Sequence, residues 1–247
     1  MSRSKPSPRV YLPAEIPAHG AATVPPEQAH HMSHVLRLAV GDTVTAFDGR
    51  GHQYAATIAR ISKHGVILNV GEAQPLSRES PLDIVLAQAI SSGDRMDYTV
   101  QKAVELGVRA IQPLATERSV VRLDPARAAK RAAHWQGIAI AACEQCGRNE
   151  LPQVLPVAGY AAWLGSLPAA ILKLTLTPGA ARRLAELDRP IGPIALLAGP
   201  EGGLSPREHA DAEACGFTAV RLGPRVLRTE TAAVAALAAM QTLWGDF

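Results

Sequence analysis

The stretch Ile194-Ala-Leu-Leu-Ala-Gly-Pro-Glu-Gly-Gly-Leu-Ser205 decides how most of the chain folds. Ile194–Ala198 is an apolar run of strand length, and it enters Gly199-Pro200-Glu201-Gly202-Gly203 without a polar break. Ser205-Pro206-Arg207-Glu208 then opens a helix: Ser205 suits the N-cap, Pro206 the first helical position, and Glu208 completes a capping box. A tight turn between strand and helix commonly needs one glycine. Three glycines in five positions also let a ligand approach bare backbone. A strand, a glycine loop and a helix in that order belong to a parallel sheet, whose ligands bind beyond the carboxyl ends of its strands. The Gly-x-Gly-x-x-Gly spacing and the Gly-Lys-Ser/Thr ending of phosphate loops are both absent, so the loop suits a neutral ring such as adenine.

The same rhythm extends on either side. Upstream lie an apolar strand at Leu82–Ile90 and a helix at Asp94–Leu106, with Asp94 placed to cap it, Asp97 near the capping-box position and Gly107 closing it. A strand at 109–114, a long Ala-rich helix at 126–146, a short helix near 159–166, a strand at 169–176 and a helix at 179–187 follow. Downstream come helix 206–215, strand 218–222 and helix 230–244. Five apolar strands alternating with helices predict an α/β domain over 80–247, with a mainly parallel sheet covered on both faces. Residues 1–74 read differently. Val10–Leu12, Thr43–Phe47, Gln53–Ala59 and Gly65–Val70 are short strands separated by Pro25-Pro26, Asp48-Gly49 and Lys63-His64-Gly65, with one helix from Pro26 to about Leu38. Close spacing of short strands suggests a small barrel. Gln74–Ser80, bounded by Pro75 and Pro81, reads as a linker.

A second strand end is also unusual: Val220-Arg-Leu-Gly-Pro-Arg-Val-Leu-Arg-Thr-Glu-Thr-Ala232. Gly223-Pro224 stops the strand, and Thr229 is placed to cap a helix whose first turn holds Glu230. The helix dipole alone explains an acid there. Arg225 and Arg228, at a site where a parallel sheet presents ligands, suit an anion or a developing negative charge.

Composition bounds the rest. The chain has 247 residues, 47% hydrophobic and 19% charged, enough for one large or two modest globular domains. No apolar run approaches the roughly 18 residues that span a bilayer, and Met1-Ser-Arg-Ser-Lys-Pro lacks the apolar core of a secretory signal, so a cytoplasmic location is expected. The formal charge of +3 leans weakly towards anionic partners. Residues 1–80 hold eight Lys/Arg against six Asp/Glu, and six of the eight histidines. Three cysteines, Cys143, Cys146 and Cys215, are too few and odd in number for a disulfide framework and suit a reducing compartment. Cys143-Glu-Gln-Cys146 has a metal-like spacing, but it lacks the second pair of ligands that zinc needs, so no metal is expected. His30-His31-x-x-His34 has no acid or thiol beside it and reads as a helix surface facing RNA or solvent. Met96, Trp135 and Trp163 read as core.

Taken together, Gly199–Gly203 and Leu222–Ala232 resemble the paired cofactor loops of the SPOUT methyltransferases. More narrowly, the chain resembles the ribosomal RNA small-subunit methyltransferase E family, which methylates N3 of a uridine in small-subunit (16S) rRNA. The likeness continues in Gly93–Gly107, Glu117-Arg-Ser119 and His134–Asn149, and towards the start in His34-Val-Leu-Arg-Leu38 and Phe47-Asp-Gly49. It implies S-adenosylmethionine as methyl donor, a trefoil knot in the C-terminal domain, a PUA-like RNA-binding barrel at residues 1–74, and a homodimer with the active site at the subunit interface. By position in that pattern, Leu176, Leu197, Gly199, Gly203, Leu222, Gly223 and Leu227 line the cofactor pocket. Three positions depart from it: Arg95 stands where a lysine is usual, Ser119 where a cysteine is common, and Leu176-Thr177-Pro178 where a His-Pro pair is often found.

Uridine N3 carries a proton at neutral pH, so transfer to it needs a base or a cation that stabilises the anion on the uracil oxygens. Arg228 or Arg225 is the candidate cation, and Glu201 either the base or a residue that orients the loop. RNA contacts are expected from Arg9, Arg37, Arg60 and Lys63 in the first domain and from Arg95 and Lys102 on the first α/β helix. A SPOUT enzyme acting on another RNA nucleotide, and a non-catalytic RNA-binding assembly factor, remain as alternatives.

Overall fold

A computed structural model of the chain describes residues 7–13, 16, 19–63, 65–119 and 124–247. The opening residues Met1–Pro6 and His64 of the expected turn lie outside the described residues. The chain divides into two compact units, one of Met1–Glu79 with Cys143–Leu151, the other of Ser80–Ala142 with Pro152–Phe247.

The N-terminal unit is a five-stranded sheet of β1 (Arg9–Tyr11), β2 (Gly20–Thr23), β3 (Thr43–Phe47), β4 (His52–Ser62) and β5 (Gly65–Pro75), in the order β1-β3-β4-β5-β2. The pairings are antiparallel except β1 with β3. Side chains alternate across a strand, so Tyr54, Ala56 and Ile58 of β4 and Val66, Leu68 and Val70 of β5 turn inward onto one core. β4 and β5 run well beyond the apolar segments visible in sequence, because their outer ends are polar or glycine-containing and carry no alternation to read. β2 was missed for the same reason: Gly-Ala-Ala-Thr has small side chains and no buried position. The helix expected to Leu38 is α1 (Pro26–His30), prolonged by a π-helical turn at His31–Val35.

The expected linker is anchored instead of loose. Glu79 Oε1 accepts the amides of Asn149 and Glu150, both at 3.1 Å, while Glu79 Oε2 takes Arg148 Nη2 at 2.6 Å. Asn149 donates to the Leu76 carbonyl at 2.7 Å. Arg9 donates to the Arg148 carbonyl and to Asn149 Oδ1, with its guanidinium over the Phe47 ring. Segment 143–151, read from sequence as part of the α/β domain, therefore groups with the N-terminal unit through buried polar contacts. Sequence periodicity cannot show such contacts, since it reports apolar faces.

The second unit is an all-parallel sheet in the order β11-β13-β10-β12-β6-β7-β8, with β9 also paired to β7. Its elements in chain order are β6 (Ile84–Ala89), α2 (Asp94–Glu105), β7 (Ala110–Ala115), α3 (Pro125–Cys146), β8 (Gln153–Val154), β9 (Ala158–Gly159), α4 (Tyr160–Ser166), β10 (Leu172–Leu176), β11 (Arg182–Arg183), β12 (Ile194–Ala198), α5 (Pro206–Ala214), β13 (Thr218–Arg221) and α6 (Thr229–Trp244). All five residues of β12 are buried, as a central strand covered on both faces requires. Ala87, Ala195 and Leu197 share a core with Tyr160 and Trp163 of α4 and Ala212 of α5. Residues between them face the other way, and α6 packs on β12 and on α2. Met96, Trp135 and Trp163 are buried as expected.

Two local expectations are corrected. The helix expected at 179–187 is an edge strand, β11, with a single 3-10 turn at Leu184–Glu186, and Arg182 and Arg183 pair with Val220 and Arg221 of β13. Neither aspartate caps α2, whose N-cap is Gly93. Asp97 spends its carboxylate on His134 (2.9 Å) and the Trp135 indole (3.1 Å) of α3.

Removing Glu79 would leave Arg148, 8% exposed at its side chain, without its carboxylate. Glu79→Ala is expected to destabilise the protein by about 3–5 kcal/mol in denaturant unfolding. The double variant Glu79→Ala/Arg148→Met recovers only part of that loss, because the Asn149 and Glu150 amides still lack their acceptor.

Candidate active site

β13, β10 and β12 are neighbours, so the three segments that leave their carboxyl ends converge: Leu176–Pro178, Ala198–Leu204 and Val220–Arg228. They enclose a cavity of about 510 Å³, a volume ordinary for a cofactor site. Leu176, Gly199, Glu201, Gly203, Leu222, Gly223, Arg225, Leu227 and Arg228 all line it, with Arg95 at its edge. Leu197 is the exception among the expected pocket residues. It is fully buried in the core shared with α4 and α5, because its position in β12 points it to the helix-covered face.

The Gly199–Ser205 loop is held at several points. A Cβ on Gly199 would sit 3.1 Å from the Leu204 amide nitrogen, so a side chain there requires the loop backbone to give by a few tenths of an ångström, and Gly203 adopts φ +67°. Ser205 and Glu208 form the capping box read from sequence, at 3.1 and 2.8 Å, and the other Glu208 oxygen accepts the Glu117 amide at 2.9 Å. Arg118 donates to the carbonyls of Gly202 (3.0 Å) and Leu204 (3.3 Å). Thr229 does not cap α6; Arg228 is its N-cap, and the Thr229 hydroxyl donates to the Gly199 carbonyl at 2.6 Å. Gln88, Ser92 and Arg118 are site residues that sequence reasoning did not assign. Gln88 left a signal, as the one amide in the apolar run Ile84–Ile90. Ser92 and Arg118 left none, because their partners are distant in sequence.

Glu201 Oε1 accepts from the Ser92 amide (2.9 Å), the Ser92 hydroxyl (2.8 Å) and Arg95 Nη1 (3.0 Å). Burial pushes its carboxyl up, but the Ser92 amide, its own amide, the Ser92 hydroxyl and Arg95 outweigh that and bring it down to about 2. A carboxylate held so firmly ionised is a poor proton acceptor at neutral pH. Of the two roles open to Glu201, the geometry favours orienting the loop. Arg225 and Arg228 are both exposed at the cavity, and neither guanidinium has a hydrogen-bond or ion-pair partner among the described residues. Arg221, also at the wall, is spent on the carbonyls of Ala180 and Ala181.

Among the described residues, seven buried side-chain polar atoms have no partner. All but Arg9 Nε belong to Gln88, Ser91, Thr175, Thr177, Glu201 and Glu230, at the carboxyl ends of β6, β10 and β12 or the start of α6. Thr177, Glu201 and Glu230 among them line the cavity; buried polar groups are normally paired, so these three fit a ligand that brings donors and acceptors. Leucine and backbone walls beside those groups suit a ring with polar edges.

Of the expected RNA-binding residues, Arg37, Arg60 and Lys63 are exposed on the N-terminal unit. Arg9 is corrected to a structural residue, since its guanidinium is used on Gln53, Arg148 and Asn149. Arg95 is tied to Glu201 but remains 43% exposed, and Lys102 pairs with Glu105 at 2.7 Å. Among the described residues no cluster of His, Cys, Asp or Glu could hold a metal ion. Burial pushes the Cys143 thiol up to about 12, far from a reactive thiolate.

Residues 78–241 match a family model described as an RNA methyltransferase domain, and residues 24–71 one described as an RNA methyltransferase PUA domain. The ribosomal RNA small subunit methyltransferase E of Buchnera aphidicola from Schizaphis graminum is 33% identical over 97% of both chains. The chain belongs to the ribosomal RNA small subunit methyltransferase E family. Two solved structures extend the comparison. A family member from Neisseria gonorrhoeae, bound to S-adenosyl methionine, is 46% identical with a TM-score of 0.91, covering 98% of this chain and 99% of its own. A Legionella pneumophila protein in complex with the cofactor SAM is 40% identical with a TM-score of 0.93, at the same coverage. No helix among the described residues is long and apolar enough to cross a membrane.

In this chain, the depressed Glu201 carboxyl contributes stability that is complete above its unfolded value near 4.5 and is lost as pH falls towards 2. Thermal unfolding across that window should show a steeper loss for the wild type than for Glu201→Gln. Gly199→Ala should fold but weaken ligand binding at the cavity, read by calorimetry, because the added Cβ displaces the loop backbone around Leu204.

Proposed function

We propose that this chain transfers a methyl group from S-adenosylmethionine to N3 of a specific uridine in 16S ribosomal RNA, acting in the cytoplasm. One observation carries the reading: the loops Gly199–Gly203 and Leu222–Arg228 wall a single cofactor-sized cavity and leave at its edge two arginines whose guanidinium groups have no partner among the described residues. Family membership and the two relatives solved with that donor support it.

S-adenosylmethionine, when bound, supplies an electrophilic methyl group. The chain's own residues supply position and charge. Leu176, Leu222 and Leu227 offer apolar faces to a ring, and the loop glycines leave main-chain donors and acceptors open to its edges. Glu201, with Ser92 and Arg95, keeps the glycine loop in place. Arg228, with Arg225 beside it, stabilises the negative charge that develops on the uracil oxygens as N3 gives up its proton to solvent water. Much of the rate comes from holding the two reactants in line. RNA phosphates are met by Arg37, Arg60 and Lys63 on the N-terminal unit and, separately, by Arg95 and Lys102 on the C-terminal unit.

The finer architecture belongs to the same proposal: residues 1–74 as a PUA-like barrel, residues 80–247 as the SPOUT domain with its trefoil knot, and a homodimer. The meeting of the 199–203 and 222–228 loops at one cavity supports the knot, which brings such loops together. Val226, 80% exposed between the two arginines, supports a second copy covering this edge.

Arg228→Ala should lower turnover about 100- to 1,000-fold while donor affinity in calorimetry stays close to wild type. Equal loss of both would assign Arg228 to donor binding instead. Mass spectrometry of 16S rRNA from a strain lacking the gene should show one uridine without its N3 methyl group. An unchanged rRNA would overturn the substrate assignment.

A further inference from the structure

We propose that Gln88 is a positioning residue that sets the gap between the two loops of the donor pocket, acting through Thr229. The inference rests on the reading of that cavity as the donor site.

Gln88 is fully buried at the next-to-last position of β6, opposite Ala198 at the end of β12. Its Nε2 lies 3.0 Å from the Ala89 carbonyl, 3.0 Å from Thr229 Oγ1 and 3.5 Å from the Gly199 carbonyl. Two of these three neighbours are carbonyls, which only accept, so the nitrogen end of the amide must face them. Thr229 has one hydroxyl proton and gives it to Gly199 at 2.6 Å, so towards Gln88 it can only accept. The direction of the relay is therefore fixed: the Gln88 amide donates to Thr229, whose hydroxyl donates to the Gly199 carbonyl. Its three members come from β6, from the first residue after the 222–228 loop, and from the first residue of the 199–203 loop.

The relay has a cost. Gln88 Oε1 is buried without a partner, a penalty that an apolar residue of similar volume would avoid. Packing alone does not account for an amide here. Gln112 on the adjacent strand β7 gives the comparison: it too is a buried glutamine, donating to the carbonyls of Pro113 (3.0 Å) and Pro156 (2.8 Å), but it bonds to neither pocket loop. Gln112 braces the fold. Gln88 braces the distance between two ligand-binding loops, one of which carries Arg225 and Arg228.

The test compares Gln88→Leu, Gln88→Glu and Gln112→Leu in the full-length protein. It measures S-adenosylmethionine affinity by calorimetry, kcat and KM for methylation of a 16S rRNA fragment, and thermal unfolding. Gln88→Leu should weaken donor affinity about tenfold, the size of one hydrogen bond, and lower kcat, with KM for RNA unchanged. Gln112→Leu should unfold at a lower temperature with donor affinity intact. In Gln88→Glu a carboxylate faces two carbonyls, whereas its protonated form can again donate to Thr229. Donor affinity of that variant should therefore improve relative to wild type as pH is lowered, and this comparison carries the test if Gln88→Leu does not fold. Wild-type donor affinity in Gln88→Leu, or no pH response in Gln88→Glu, would overturn the inference. Failure of the wild type to bind the donor would overturn the reading of the cavity itself.

Discussion

A parallel strand that ends inside a protein leaves backbone groups that water cannot reach, and each must find a partner. At the end of β12 the Gly199 carbonyl finds the Thr229 hydroxyl, which lies far along the chain. That bond fixes where the last helix begins relative to the glycine loop. The cavity exists because two such ends, after β12 and after β13, are held side by side with β10 between their strands. Glu201, Arg118 and Glu208 each fasten another point of the first loop to elements that are distant in sequence. The second loop, by contrast, carries two arginines whose guanidinium groups have no internal partner among the described residues, so its charge is available to a ligand.

The distribution of charge around the cavity sorts the polar residues by task. Glu201 is held so far below the ordinary carboxylate range that it acts as a fixed anion in the framework. Arg95 and Arg221 are drawn into the protein's own bonds. Among the described residues, what remains is the pair Arg225 and Arg228 at the edge and the Glu230 carboxylate in the wall, one of whose oxygens has no partner.

Much of this was legible in the sequence, and the failures have physical causes. The buried run at Ile194–Ala198, the glycine loop and the Ser205–Glu208 box were readable because strand length, backbone freedom and capping are local properties. The placement of Thr229 was misjudged for the opposite reason: a threonine before a helix is a good cap in isolation, but a buried carbonyl elsewhere claims its hydroxyl. Asp97 was lost to His134 and Trp135 in the same way. Arg9 looked like a free surface cation, yet two of its partners, Arg148 and Asn149, lie some 140 residues away. Leu197 fits the family's pocket pattern by position, but the alternation along β12 turns it to the opposite face. Residues 179–187 carry enough alanine and leucine to suggest a helix. An unpaired edge on β13 captured Arg182 and Arg183 instead.

Helix α3 begins in one unit, and its last turn, with the residues up to Leu151, belongs to the other. The polypeptide therefore passes between the two units three times, after Glu79, after Ala142 and after Leu151. Neither unit is a contiguous module that a gene could gain or shed by a single cut. A fragment starting at Ser80 would carry Asn149 without the Glu79 carboxylate and the Leu76 carbonyl that it bonds to. The segment that follows α3 thus takes hydrogen-bond partners from residues that precede Ser80.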